Sequence, residues 1–118
     1  MDILIIVLNR TEKLEELLEG FIELEIPGAT ILDSVGMGSI LGREIPIFAG
    51  FRSMFASMQP NSKVLLSLIE RDDKLEEALD FVDRLLNVED APGGAFSIVV
   101  PVSQVRGARI RFRRDEQE

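Results

Sequence analysis

Several of the side chains that commonly carry enzyme chemistry are missing from this chain. It has no histidine, cysteine, tyrosine or tryptophan. Ser-His-Asp and Cys-His nucleophile systems therefore cannot be assembled. Thiolate and imidazole sites for soft metals are excluded, and a zinc site would need carboxylates alone. Disulfides and tyrosine modification are excluded with them. Carboxylate and guanidinium chemistry remains. Asp33 and Glu44 are the carboxylates that a ferredoxin-like enzyme would use as acid and base. Arg106, Arg109, Arg111, Arg113 and Arg114 crowd into residues 106–114, and planar guanidinium groups suit phosphate and carboxylate oxygens. The acidic residues Asp115, Glu116 and Glu118 follow, which leaves open a solvated terminus with local ion pairs.

The net charge is −8, yet residues 1–105 hold 8 basic and 18 acidic side chains. Duplex nucleic acid binds largely through phosphate neutralisation, so an acidic body argues against a nucleic-acid partner. A small phosphorylated ligand at the arginine cluster fits the charge better. The 118 residues and 46% apolar content fit a single domain over 1–118 with one core. No run of eighteen apolar residues occurs, so insertion into a membrane is not expected. The start Met1-Asp2 lacks the basic residues of a signal peptide. The resulting expectation is a cytoplasmic protein.

The elements that must position these groups repeat at an offset of 61 residues. Thr11-Glu-Lys-Leu-Glu-Glu-Leu-Leu18 aligns with Asp72-Asp-Lys-Leu-Glu-Glu-Ala-Leu79, Ile3–Leu8 aligns with Val64–Ile69, and Arg10 meets Arg71. Each half reads as strand, tight turn and helix. Thr11 and Asp72 have the side-chain acceptors of N-caps. Leu14, Leu17, Leu18, Phe21 and Ile22 recur at helical spacing in the first helix, as do Leu75, Ala78, Leu79, Val82, Leu85 and Leu86 in the second. The outer faces carry Glu15, Glu16, Glu19, Glu76, Glu77 and Asp80, a pattern of solvated helix surface. Pro27-Gly28 is read as ending the first helix. Residues 29–36 and 95–102 are read as further strands.

The fold class that follows is α+β, a ferredoxin-like βαββαβ unit with two helices on one face of a four-stranded antiparallel sheet. Residues 3–8 and 64–69 are apolar on both faces, as central strands are. Pro101 places the last strand at an edge, and Asp33 with Ser34 suits the second strand to the other edge. The expected order is 4-1-3-2, with right-handed crossovers. Two helices cover one face only, so the second face presents an apolar patch to water. Burial against copies of itself is the economical solution, and a homo-oligomer is expected.

Residues 39–62 connect the second and third strands, far longer than a hairpin needs. Long connections in compact domains are usually functional or disordered, and this one holds Phe48, Phe51, Phe55, Met54 and Met58. Phe51, Met54, Phe55 and Met58 are spaced for a short amphipathic helix near 50–58. The segment reads either as packing on its own assembly or as a partner-binding loop presenting Phe48, Phe51 and Phe55.

This layout resembles the PII signal-transduction superfamily, and the chain looks like a divergent PII-like member. Gly28-Ala-Thr-Ile-Leu-Asp-Ser-Val-Gly-Met-Gly38 resembles that family's second strand and the glycine turn at the base of its long loop. Pro92–Val102 resembles its glycine-bearing loop and fourth strand. Ala108-Arg-Ile-Arg111 resembles its C-terminal Arg-x-Arg element, with Arg106-Gly107 as two extra residues. Ser39 and Ile40 replace the polar residues expected after the first turn, and Ala95 and Phe96 stand where a lysine is expected. The resemblance implies a cytoplasmic, non-enzymatic regulatory homotrimer that binds a ligand in clefts between subunits and signals through the long loop. A membrane transporter or an enzyme would be its partner. The implied anion or nucleotide site comprises Gly36, Met37, Gly38, Gly93, Gly94, Arg109 and Arg111. Glycine turns let backbone amides approach an anion, and the arginines neutralise it. The ligand itself is left unidentified. Beside this stand two other readings: a structural oligomerisation module without ligand, and the carboxylate enzyme.

Overall fold

Burial along β1 (Asp2–Leu8) alternates, and that alternation shows which side of the sheet the helices take. Leu4, Ile6 and Leu8 are fully buried, while Ile3, Ile5 and Val7 are half-buried. The computed structural model describes residues 1–37, 40, 62–86 and 94–107. A 3-10 turn, Thr11–Lys13, leads into α1 (Leu14–Glu23), followed by β2 (Thr30–Ser34), β3 (Ser62–Ile69), α2 (Asp72–Leu86) and β4 (Ala95–Pro101). The four strands form one antiparallel sheet in the order β2-β3-β1-β4. This is the expected α+β, ferredoxin-like arrangement, with the two apolar strands at the centre. β3 begins at Ser62, one residue inside the span expected to be loop.

The core lies between the sheet and the helices. Leu4, Ile6, Leu8, Leu65 and Ile69 meet Leu17 and Phe21 of α1 and Leu75, Ala78, Val82 and Leu86 of α2. Gly20 of α1 packs against Phe81 of α2. A Cβ built there would lie 2.0 Å from the Phe81 ring. Ser67, buried in the helix-side face, donates to the Gly28 carbonyl at 2.7 Å. No buried side-chain polar atom among the described residues lacks a partner.

The helix termini differ from the expected caps. Thr11 lies in the 3-10 turn, and the Arg10 that precedes it makes no side-chain cap bond. Asp72 is the first residue of α2, and the Arg71 carbonyl accepts the Leu75 N–H at 3.1 Å. α1 ends before Pro27-Gly28. The Ile26 N–H reaches back to the Phe21 carbonyl, the Glu25 N–H reaches the Ile22 carbonyl, and Glu25 adopts φ 64°. This is a Schellman stop with glutamate in the left-handed position that glycine usually fills. Buried Ile26 and Phe21 supply its apolar clasp.

The repeat reappears in the side chains. Arg10 pairs with Glu12 at 3.3 Å and Arg71 with Asp73 at 2.7 Å. Lys13 pairs with Glu16 at 3.5 Å and Lys74 with Glu77 at 3.5 Å. Both strand-to-helix turns use the same pairing pattern, at opposite ends of the sheet because β1 and β3 are antiparallel.

Candidate functional site

Directly opposed residues in antiparallel strands share a face, so the strand register defines the second side of the sheet. It consists of rows running from β2 through β3 and β1 to β4. Leu32, Val64, Val7 and Phe96 form one row, and Thr30, Leu66, Ile5 and Ile98 the next. Leu68, Ile3 and Val100 complete the face. Thr30 is its only polar member in these rows. Phe96 is 53% exposed, Leu32 47% and Ile98 42%. No described helix covers this side. It is the face whose solvent exposure the two-sided apolar strands predict.

One further row closes this face at the end where β2 terminates and β4 begins. It is polar: Ser34 opposes Ser62, and Asn9 and Gly94 lie one residue beyond the Leu8–Lys63 and Leu8–Ala95 pairs. The Asn9 and Arg10 N–H groups both donate to the Gly94 carbonyl, at 2.8 and 3.1 Å. The Ser62 hydroxyl donates to Asn9 Oδ1 at 2.7 Å, and the Ser34 hydroxyl donates to the Ser62 carbonyl at 3.3 Å. A hydrogen-bonded line thus crosses all four strands. Sequence patterning missed it because serine and asparagine at strand ends read as ordinary turn residues. The signal was the pairing register, which brings Ser34, Ser62 and Asn9 together from distant parts of the chain.

The residues expected to bind an anion distribute around this end. Gly36 and Met37 follow β2, exposed, with Met37 74% exposed and the Ile40 N–H donating to the Gly36 carbonyl at 3.2 Å. A Cβ at Gly36 would meet nothing within 4 Å. Gly94 precedes β4 and is buried, its carbonyl already accepting two amides. The two turns share one end of the sheet but lie on its opposite edges, three strand spacings or about 14 Å apart. One small anion cannot touch both turns of a single subunit. Gly38, Gly93, Arg109 and Arg111, and Phe48, Phe51 and Phe55 of the 39–62 segment, lie outside the described residues, as does the helix expected near 50–58. β4 ends at Pro101 opposite Asp2, at the other end of the sheet from Gly94, and the Val102 N–H donates to the Met1 carbonyl at 3.0 Å.

No family model matches the chain. The curated proteins compared with it give no match either.

The described carboxylates show no catalytic arrangement. Asp33 pairs with Lys63 across the β2–β3 ladder on the helix side. Glu12 is held below the ordinary carboxyl range by a backbone hydrogen bond, helped by Arg10. Slight desolvation pushes Asp73 up, but the Arg71 hydrogen bond and charge, with the Lys74 and Asp73 amides, outweigh it and leave the carboxyl lowered. No group of three or more metal-ligating side chains occurs among the described residues. No helix among them is long and apolar enough to cross a membrane.

Proposed function

We propose that this chain is a PII-like regulatory protein. In this reading it is a non-enzymatic homotrimer that holds a small anionic metabolite, nucleotides included, in clefts between subunits. Occupancy passes through residues 39–62 to a protein partner, a transporter or an enzyme. The observation that carries the reading is the open apolar sheet face bordered by the polar row and the two glycine turns. A face of that character is buried in water-soluble proteins by association.

The strand directions favour a cleft between copies. β2 and β4 run antiparallel to one another. Setting β4 of one subunit beside β2 of the next therefore continues the antiparallel pattern. The Gly94 turn then lies about one strand spacing, roughly 5 Å, from Gly36 of the partner subunit. A closed ring of three turns the apolar faces inward. Arg109 and Arg111 would complete the cleft, since the ten residues from Pro101 to Arg111 reach up to about 33 Å, more than the length of β4.

Light scattering and a thermal-shift panel test the reading together. The expected mass is that of a trimer, and an anion among nucleotides, cyclic dinucleotides, bicarbonate and organic acids is expected to raise Tm. Changing Arg109 and Arg111 to Ala should weaken that anion at least about tenfold, or 1.4 kcal/mol. Changing Arg113 and Arg114 should not. A trimer that no anion stabilises would favour the structural oligomerisation module, which the apolar face supports by itself. A monodisperse monomer overturns both readings.

A further inference from the structure

We propose that Ser62 is a joint that couples the two lateral edges of the sheet, linking the Gly36 turn after β2 to the Gly94 turn before β4. The contacts form one continuous line. The Ser34 hydroxyl, at the end of β2, donates to the Ser62 carbonyl at 3.3 Å. The Ser62 hydroxyl donates to Asn9 Oδ1 at 2.7 Å, and the Asn9 and Arg10 amides donate to the Gly94 carbonyl at 2.8 and 3.1 Å.

Ser62 occupies two positions of this line, accepting through its backbone and donating through its side chain, and Asn9 continues it by accepting through its side chain and donating through its backbone. Ser62 is also 6% exposed, so water does not readily replace a lost partner there, and an unpaired buried group is costly. A displacement at Ser34 therefore changes the position from which Ser62 holds Asn9, and with it the amides bound to Gly94. The adjoining row, Leu32, Val64, Val7 and Phe96, has apolar side chains, so among the described residues on that side this row is the one in which side-chain hydrogen bonds help to link all four strands. The joint stands on these contacts alone. Its use rests on the assembly proposed above: each subunit's two edges would then face different neighbours, and the joint would let one cleft sense the next.

Amide hydrogen exchange on the full chain tests the coupling. Ser34→Ala should speed exchange of the Asn9 and Arg10 amides, two strands away, at least about twofold, the lower end of coupling within one hydrogen-bonded network. In a Ser62→Ala background the same change at Ser34 should add nothing at those amides. Ser62→Thr, which keeps the hydroxyl, should restore the response. Ser67→Ala, which removes a buried hydroxyl bound to Gly28 on the other face, should leave it intact. If Ser34→Ala changes exchange only within residues 30–36, or acts on Asn9 and Arg10 equally with and without the Ser62 hydroxyl, the joint does not exist. Neither result depends on a ligand or on trimer formation. Failure of the assembly would be read separately, from the mass.

Discussion

Glu25 holds a conformation its side chain disfavours. At φ 64° a Cβ crowds the backbone, while glycine does not. The Glu25 side chain offers one compensation, an exposed pairing with Lys74 at 3.7 Å, and such pairs contribute little. Glu25→Gly relieves about 1–2 kcal/mol of left-handed strain against about 0.4–1 kcal/mol of added unfolded-chain entropy, so it should stabilise the fold by up to about 1 kcal/mol, measured as a higher denaturation midpoint at an unchanged m-value. A second residue-scale test uses acid. The Asp73 carboxyl is lowered in the folded chain, so its contribution is present above the unfolded pKa and is lost as pH falls through the lower folded value. Arg71→Ala removes the main partner. The variant should lose less Tm than the parent on acidification below about pH 4, the ordinary aspartate range, and a parallel acid limb would refute the assignment. Individual residues were unevenly legible in the sequence. The Arg10–Arg71 match showed that two turns were related, and the structure gives both the same ion pairs. The caps expected at Thr11 and Asp72 follow a rule about side-chain acceptors; in the structure Thr11 lies within the 3-10 turn, and in α2 the acceptor is one residue further on, where the Asp73 carboxylate takes the Lys74 N–H at 2.9 Å.

At the scale of elements, hydrophobic period decided almost everything. Apolar residues on both faces of 3–8 and 64–69 placed these strands centrally, and Pro101 with Asp33 placed the outer two. The end of α1 was less legible, because Pro27-Gly28 is a familiar stop while a left-handed glutamate carries no sequence signal. The helix–helix contact was also hidden: Gly20 reads as a mild weakness in a helix until Phe81 is found against it. That contact gives a prediction with a change of sign. Alanine gains about 1 kcal/mol over glycine in a helix interior, but its Cβ at 2.0 Å from the Phe81 ring forces repacking, which costs about 1–3 kcal/mol. Gly20→Ala should thus destabilise the parent chain. In a Phe81→Leu background, where the ring is gone, the same change should become neutral or stabilising. A double-mutant cycle in urea separates the two terms, and additive effects would show that the helices do not meet at this point.

For the whole molecule, the question is what covers the open sheet face. The sequence revealed that such a face must exist but not which residues form it, because β1 and β3 are apolar on both sides and period two does not distinguish them. The positions of the helices settle that point: Ile6 is fully buried beneath them, and Leu66 and Ile98 lie on the other side. Two kinds of charged substitution should then part company. Ile6→Asp places a carboxylate in the core with no partner, and burying a charge unpaired is strongly unfavourable. The chain should lose its cooperative thermal transition. Ile98→Asp puts the same carboxylate on an edge strand at a position 42% exposed, where a monomer can solvate it. The fold should persist, with far-UV circular dichroism like that of the parent. Assembly should not persist, because three such charges would be brought onto one desolvated surface in a closed trimer. Leu66→Asp, half-buried in the middle of the same face, should dissociate the trimer at some cost to monomer stability. The decisive measurement is mass by light scattering alongside the thermal transition. A folded Ile98→Asp chain that remains trimeric would place the interface elsewhere, and the apolar face would then need a different occupant.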